Sequence, residues 1–184
     1  MMNIDTDHSN QGTTLQDQNI DTYQFLTFML GGEEYGVDIL NVQEIRSWES
    51  ATAIPNTPDY VLGVINLRGL VVPIVDLRKR FAMSGAEFGP TTIIVIVKLS
   101  GKSNSSKTIG MVVDEVSDVY NIVDDDIGEM PGFGSVLGTE FIKGVANVNE
   151  KMVIILNIDS LIITGVLGDE ETTESGEDQV GLAE

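Results

Sequence analysis

The hydrophobic pattern along the chain is one of short apolar runs broken by Gly, Pro, Asn and Ser. Tyr23–Leu30 (YQFLTFML) predicts a strand, Gly31-Gly32 a tight turn, and Glu33–Ile39 a returning strand. Val42–Arg46 alternates weakly and either extends that strand or starts another. The cluster Ile54-Pro-Asn-Thr-Pro58 breaks the pattern. Behind it, Thr57 as cap, Pro58 as first residue and Gly63 as stop predict one helical turn at Asp59–Leu62. Val64–Leu67, a turn at Arg68-Gly69 and Leu70–Leu77 predict a hairpin. Pro73 inside its second arm lacks a ladder donor, which predicts an edge position or a bulge.

Thr91–Leu99 (TTIIVIVKL) is apolar on both faces and predicts a buried strand. Gly101–Lys107 predicts a polar hairpin loop, Thr108–Val113 and Val116–Val123 two further strands, and Asp124–Ser135 irregular chain. Phe141–Val148 and Met152–Ile158 predict a final hairpin about Asn149-Glu150, with Asp159 capping a short helix through Ile163. No apolar run approaches the length of a membrane span; the longest lies around Thr92–Val97.

The chain repeats itself. The segment from Gly63 through Asn66, Val72, Ile74 and Asp76 to Leu77 matches that from Gly144 through Asn147, Val153, Ile155 and Asn157 to Ile158, in one register. A weaker match precedes each copy: Tyr35-Gly36-Val37, Val42 and Ile45 align with Ile109-Gly110-Met111, Val116 and Val119. Two copies of a small all-β unit, each about 70 residues and five strands, are therefore expected. Alone, such a unit has a meagre core. Packed together, two of them share apolar surface and leave a groove at their seam.

Composition adds limits. Of 184 residues, 42% are hydrophobic and 21% charged, which is a globular balance. The net charge of −19 disfavours nucleic acid as a partner. Residues 1–21 hold four acidic groups and residues 169–184 seven, with no Lys or Arg in either. Both read as disordered acidic tails flanking a folded part at 22–168. The N-terminus carries no signal-peptide pattern, and a soluble cytoplasmic protein is expected.

Candidate chemistry is sparse. There is no cysteine, and the one histidine, His8, stands in the polar tail. A catalytic triad and a zinc site thus lack their usual residues. Asp38, Asp76, Asp114 and Asp118 on or beside strands leave a carboxylate acid/base pair open, although solvated or ion-paired roles fit them better. Gly132-Phe-Gly134-Ser-Val-Leu-Gly138 has its third glycine one residue late for a dinucleotide loop and no strand–turn–helix setting. Asp124-Asp125-Asp126-Ile-Gly128 lacks the alternating ligands of a calcium loop. No cofactor, metal or catalytic residue is expected.

Four pieces, in order, resemble the signatures of the CheW-like coupling proteins. They are Tyr35–Arg46 (YGVDILNVQEIR), Gly63–Arg78 (GVINLRGLVVPIVDLR), Gly110–Val119 (GMVVDEVSDV), and Phe141–Gly144 followed by Met152–Leu161. The resemblance runs from about Tyr23 to Ile163. It implies an all-β fold of two five-stranded SH3-like β-barrels around a shared hydrophobic core, with short helices. The first unit is taken as about 35–90 and the second as about 91–160, with strands exchanged between them. It implies a non-enzymatic adaptor that couples methyl-accepting chemoreceptors to the histidine kinase CheA in bacterial chemotaxis. Its partners are the regulatory domain of CheA and the membrane-distal cytoplasmic tip of the receptors, a helical hairpin. Its place is the cytoplasm, at receptor arrays on the inner face of the membrane.

By the same resemblance, Val42, Glu44, Gly63 and Arg68 are the kinase-coupling positions. Opposite charges on Glu44 and Arg68 further suggest an ion pair that shapes the Arg68-Gly69 turn. Receptor contact calls for an apolar strip that accepts an amphipathic hairpin. Val116 and Val119 are the candidates, with Ile39 facing them, although each also suits a core position. A generic peptide- or ligand-binding β-module and a double-barrel acid/base enzyme are the other readings. The Ser-rich loop Gly101–Lys107 and the acidic C-terminal tail depart from the simplest family pattern.

Overall fold

A computed structural model describes residues 22–84, 87–99, 107–130 and 139–165. His8, both acidic tails, the loop body 101–106 and the glycine-rich string at 132–138 lie outside the described residues. The strands are β1 (Thr22–Leu30), β2 (Glu33–Asp38), β3 (Val42–Ser47), β4 (Val61–Leu67), β5 (Leu70–Asp76), β6 (Ile93–Leu99), β7 (Lys107–Val113), β8 (Glu115–Val123), β9 (Ile127–Gly128), β10 (Ile142–Val148) and β11 (Lys151–Leu156). Helix α1 (Leu77–Arg80) follows β5, helix α2 (Ile158–Gly165) follows β11, and 3-10 turns stand at Ile39–Asn41, Asp124–Asp126 and Thr139–Phe141.

The fold is all-β, in two sheets. Sheet I has the order β8-β1-β2-β11-β10-β9, and sheet II the order β3-β6-β7-β5-β4. The sixth strand of sheet I is the two-residue β9, so each sheet is built on five strands of ordinary length. Among the described residues neither ladder closes on itself. Sheet II nevertheless curls until its ends meet, through a bridge between Thr52 and Val64 and an ion pair between Glu44 and Arg68.

Period-two alternation lets single strands serve two cores. On β6, Val95 and Val97 face a cluster shared by both sheets, while Ile94 and Ile96 face the interior of sheet II. On β1, Leu26, Phe28 and Leu30 face the shared cluster, and Phe25 joins Ile122, Ala146, Val153 and Ile155 inside sheet I. This is why Thr91–Leu99 reads as apolar on both faces. Rings stack through the shared core from Phe28 to Tyr35 at 6.2 Å, to Phe81 at 5.9 Å and to Phe141 at 6.0 Å. Burial, and then the neighbouring charge of Glu33, raise the pKa of the Tyr35 phenol above its ordinary value.

The sequence repeat reappears in the pairing. Hairpin β4–β5 sets Gly63 opposite Ile74, and hairpin β10–β11 sets Gly144 opposite Ile155; a register shift precedes each glycine. Beyond the hairpins, Ile74 pairs in parallel with Gly110, and Ile155 with Gly36. Both hairpins turn on two residues with positive φ, Arg68-Gly69 and Asn149-Glu150. Such turns match the twist of the flanking strands.

Several local expectations differ. No helix forms at Asp59–Leu62. Val61 N–H closes a single turn onto Pro58 O, and Val61 already pairs with Val75 at the start of β4. Gly63 therefore lies within β4, not at a helix end. Pro73 sits on an interior strand, but the parallel ladder to β7 begins only at Ile74, so on that side its missing N–H interrupts nothing. β2 stops at Asp38, whose carboxylate accepts from Leu40 N–H and starts the turn Ile39–Asn41. Asp76 ends β5 by capping α1, which takes Leu77 out of the strand. Helix α2 is capped by Asn157, which accepts from Ser160 N–H, rather than by Asp159. Within Asp124–Ser135, β9 emerges where Ile127 and Gly128 pair with Ala146 and Val145. Two residues carry no periodicity to read.

Candidate functional site: a hairpin seam and an edge strand

Val42 begins β3, packs against the shared core and pairs with Val97. Two residues on, Glu44 lies 3.1 Å through Oε2 from Arg68 Nη2 and 3.8 Å through Oε1 from Arg46 Nε. Arg46 continues the alternation to Glu49 at 3.1 Å. Arg68 is held at the hairpin tip with φ 53°, and Asn66 Oδ1 accepts from the next amide, Gly69 N–H, at 2.7 Å. The ion pair read from the sequence is thus present, and it joins the end strand β3 to the tip of hairpin β4–β5.

Gly63 is buried and acts on this surface only through the backbone. Its φ is +135°, and a Cβ there would fall 2.2 Å from Thr52 O. The bridge from Thr52 to Val64 needs that approach. Val42, Glu44, Gly63 and Arg68 therefore lie on strands and a turn of one sheet. Exposed Ile45, Leu70 and Val71 accompany them on β3 and β5.

The other three candidates lie in sheet I and its connection to β3. Val116 and Val119 are on β8, an end strand of sheet I, opposite Phe28 and Leu26. Val116 is half-buried and packs on the shared core, whereas Val119 is 39% exposed. Ile39 does not face them. Asp38 pairs with Phe25 and Phe25 with Tyr120, so Ile39 sits near the far end of β8. There it lines a surface depression with Thr22, Tyr23, Gln24, Leu40 and Asn121.

The strand carboxylates have structural partners. Asp38 and Asp76 cap helical turns, and Asp118 accepts from Val119 N–H at 2.7 Å. Asp114 takes Arg78 in a two-pronged ion pair and also accepts from Gly31 N–H at 2.9 Å. Asp76, Glu87 and Asp114 border one small pocket; Arg78 donates its backbone N–H to Asp76 and its guanidinium to Asp114, and among the described residues no hydrogen bond joins two of these carboxylates. Among the described residues, no group of His, Cys, Asp and Glu could hold a metal ion, and no helix is long and apolar enough to cross a membrane. Sequence reasoning missed the Arg78–Asp114 pair, since nothing in the local pattern couples residues so far apart. It also missed Arg80, whose guanidinium lies 4.2 Å from the Phe141 ring centroid and 5.0 Å from that of Tyr60.

Comparison with known proteins agrees with this architecture. A family model described as "CheW-like domain" matches residues 24–164. The chemotaxis protein CheW of Klebsiella aerogenes is 42% identical over 139 residues, 76% of this chain and 81% of that protein. That of Rhizobium meliloti is 41% identical over 138 residues, 75% and 86% of the two chains. Protein FrzA of Myxococcus xanthus is 32% identical over 143 residues, 77% and 86%. The crystal structure of the scaffolding protein TtCheW from Thermoanaerobacter tengcongensis superposes with a TM-score of 0.67 at 33% identity, covering 77% of this chain and 88% of that one. With two interlocked sheets, a repeated hairpin register and matches running through 24–164, the chain belongs to the CheW-like family.

Proposed function

We propose that this chain is a non-enzymatic coupling adaptor of bacterial chemotaxis, joining methyl-accepting chemoreceptors to the histidine kinase CheA. Residues 22–168 form the adaptor, made of two β-units with exchanged strands, and the acidic segments 1–21 and 169–184 flank it. It works in the cytoplasm, at receptor arrays on the inner face of the membrane, without a cofactor.

One observation carries the reading. The hairpin seam of sheet II is an exposed, charge-ordered surface, with Arg68 82% exposed and fixed against Glu44. A surface held in shape but open to water suits a protein partner better than a small substrate. The regulatory domain of CheA is its client, with Val42, Glu44 and Arg68 at the contact and Gly63 shaping the strand beneath. The receptor tip docks along β8 with Val119 as the accessible anchor. Val116 supports the strand from the core side, and Ile39 marks the outer limit of the site. Chemistry by carboxylates has little support, because Asp38, Asp76, Asp114 and Asp118 are engaged in caps, turns and an ion pair.

Binding of the chain to the isolated CheA regulatory domain tests the reading, with Arg68→Ala as the control. Saturable binding that weakens at least about tenfold in the variant is expected, the size of a buried interfacial charge contact. A folded chain that ignores the kinase domain contradicts the proposal.

A further inference from the structure

The two sheets are connected by two crossovers, and the structure treats them differently. Between β2 and β3 the chain passes through the turn Ile39–Asn41. Leu40 there is 86% exposed, and among the described residues the Asp38 carboxylate bonds only within its own turn. Between β7 and β8 the chain passes through Asp114, the residue that the repeat aligns with Leu40. Asp114 N–H donates to Met29 O at 3.1 Å, on β1 of sheet I. Its carboxylate accepts from Gly31 N–H, in the β1–β2 turn of sheet I, and holds both Arg78 Nε and Arg78 Nη2, on the helix that follows β5 of sheet II.

Each of the other five described ion pairs stays within one sheet and its connections. Arg78 and Asp114 are also shielded, with side-chain exposures of 20% and 27%. A forked, partly buried guanidinium–carboxylate pair fixes orientation more tightly than a single exposed contact.

We infer that Arg78, Asp114 and Gly31 form a latch that couples the two docking surfaces of the adaptor. The inference rests on the adaptor reading above. The path is short and made of bonds. Hairpin β4–β5 runs through Asp76 into α1, which carries Arg78. Arg78 holds Asp114, and Asp114 leads directly into Glu115 and Val116 of β8. A client that shifts the hairpin therefore moves the root of β8, and a client on β8 acts back on the hairpin. Such coupling is reciprocal, so each client changes the affinity of the other by one common factor.

The test measures the Kd of the CheA regulatory domain with and without a saturating receptor-tip fragment, using the full chain and its Asp114→Asn variant. In the unaltered chain the receptor fragment shifts that Kd by about fivefold or more, the low end of measured couplings. In Asp114→Asn the ratio falls to about one, while each client alone binds within about twofold of the unaltered chain. Should Asp114→Asn fail to fold, Arg78→Lys carries the same test, because it keeps the charge and loses the fork. A ratio of one in the unaltered chain, an undiminished ratio in the variant, or an equal loss of both single affinities overturns the latch. Absence of both single interactions in the unaltered chain overturns the adaptor reading, and the latch with it.

Discussion

Arg68, at the tip of hairpin β4–β5, reaches Glu44 on β3 with 3.1 Å between Nη2 and Oε2, so the pair ties together the two ends of sheet II. Arg68 is 82% exposed, and water screens its charge. Arg68→Ala is expected to lower folding stability by less than about 1 kcal/mol. Its effect on kinase binding should be larger. A urea melt beside a binding titration separates the two. Exchanging the charges between positions 44 and 68 should not restore the surface fully, because an arginine at 44 would confront Arg46, now 3.8 Å from the Glu44 carboxylate.

Gly63 gives the opposite balance. A methyl group there meets backbone, Thr52 O at 2.2 Å, and the φ of +135° is itself unfavourable for any other residue. Gly63→Ala should cost roughly 3 kcal/mol or more, combining backbone strain with displacement of the 51–53 segment. At Gly36 the nearest atom to such a methyl is Ile155 Cδ1 at 3.1 Å, the movable end of a side chain. Gly36→Ala should be milder. Thermal melts of the two variants rank them.

Val116 and Val119 look alike in the sequence and differ in space. Val116 packs half-buried on the shared core, and its truncation to alanine should cost about 1 kcal/mol, part of the value of two fully buried methylene equivalents. Val119→Ala should change stability by about 0.5 kcal/mol or less, as surface substitutions do. If β8 is the receptor edge, Val119→Ala nevertheless weakens receptor pull-down in a fully folded protein.

Tyr35 sets an alkaline limit. Burial and the Glu33 charge raise its pKa in the folded state above 10.0. The unfolded phenol ionises first, at about pH 10. Below that pH the protonated phenol's contribution is fully present; stability falls as pH rises past the unfolded value and the contribution is lost once pH has climbed through the raised folded value. The urea midpoint of the unaltered protein should decline as pH rises from about 9 to about 11, across the titration of the unfolded phenol. Tyr35→Phe should fall less.

The fold was legible where a pattern recurs. The two hairpins share glycine, asparagine and apolar positions, and the structure gives them the same register and the same parallel neighbours, Gly110 and Gly36. Thr91–Leu99 announced a strand buried on both sides because it lines two cores at once. Helix ends were harder. Asp59–Leu62 carried a cap, a proline and a stopping glycine, yet pairing of Val61 with Val75 outweighed those local cues. At the site, opposite charges suggested the Glu44–Arg68 pair. The separation of Ile39 from Val116 arises from strand register within sheet I, and the forked bond from Arg78 to Asp114 from how the sheets cross; no local spacing encodes either.

The central claim is that one β-scaffold holds two protein clients at once. Sedimentation of the purified chain mixed with the CheA regulatory domain and a receptor-tip fragment addresses it directly. The account predicts a single ternary species in which neither client displaces the other, reduced to the receptor-bound form by Arg68→Ala and to the kinase-bound form by a charged substitution at Val119. A folded chain that sediments alone, or clients that exclude one another, would contradict it.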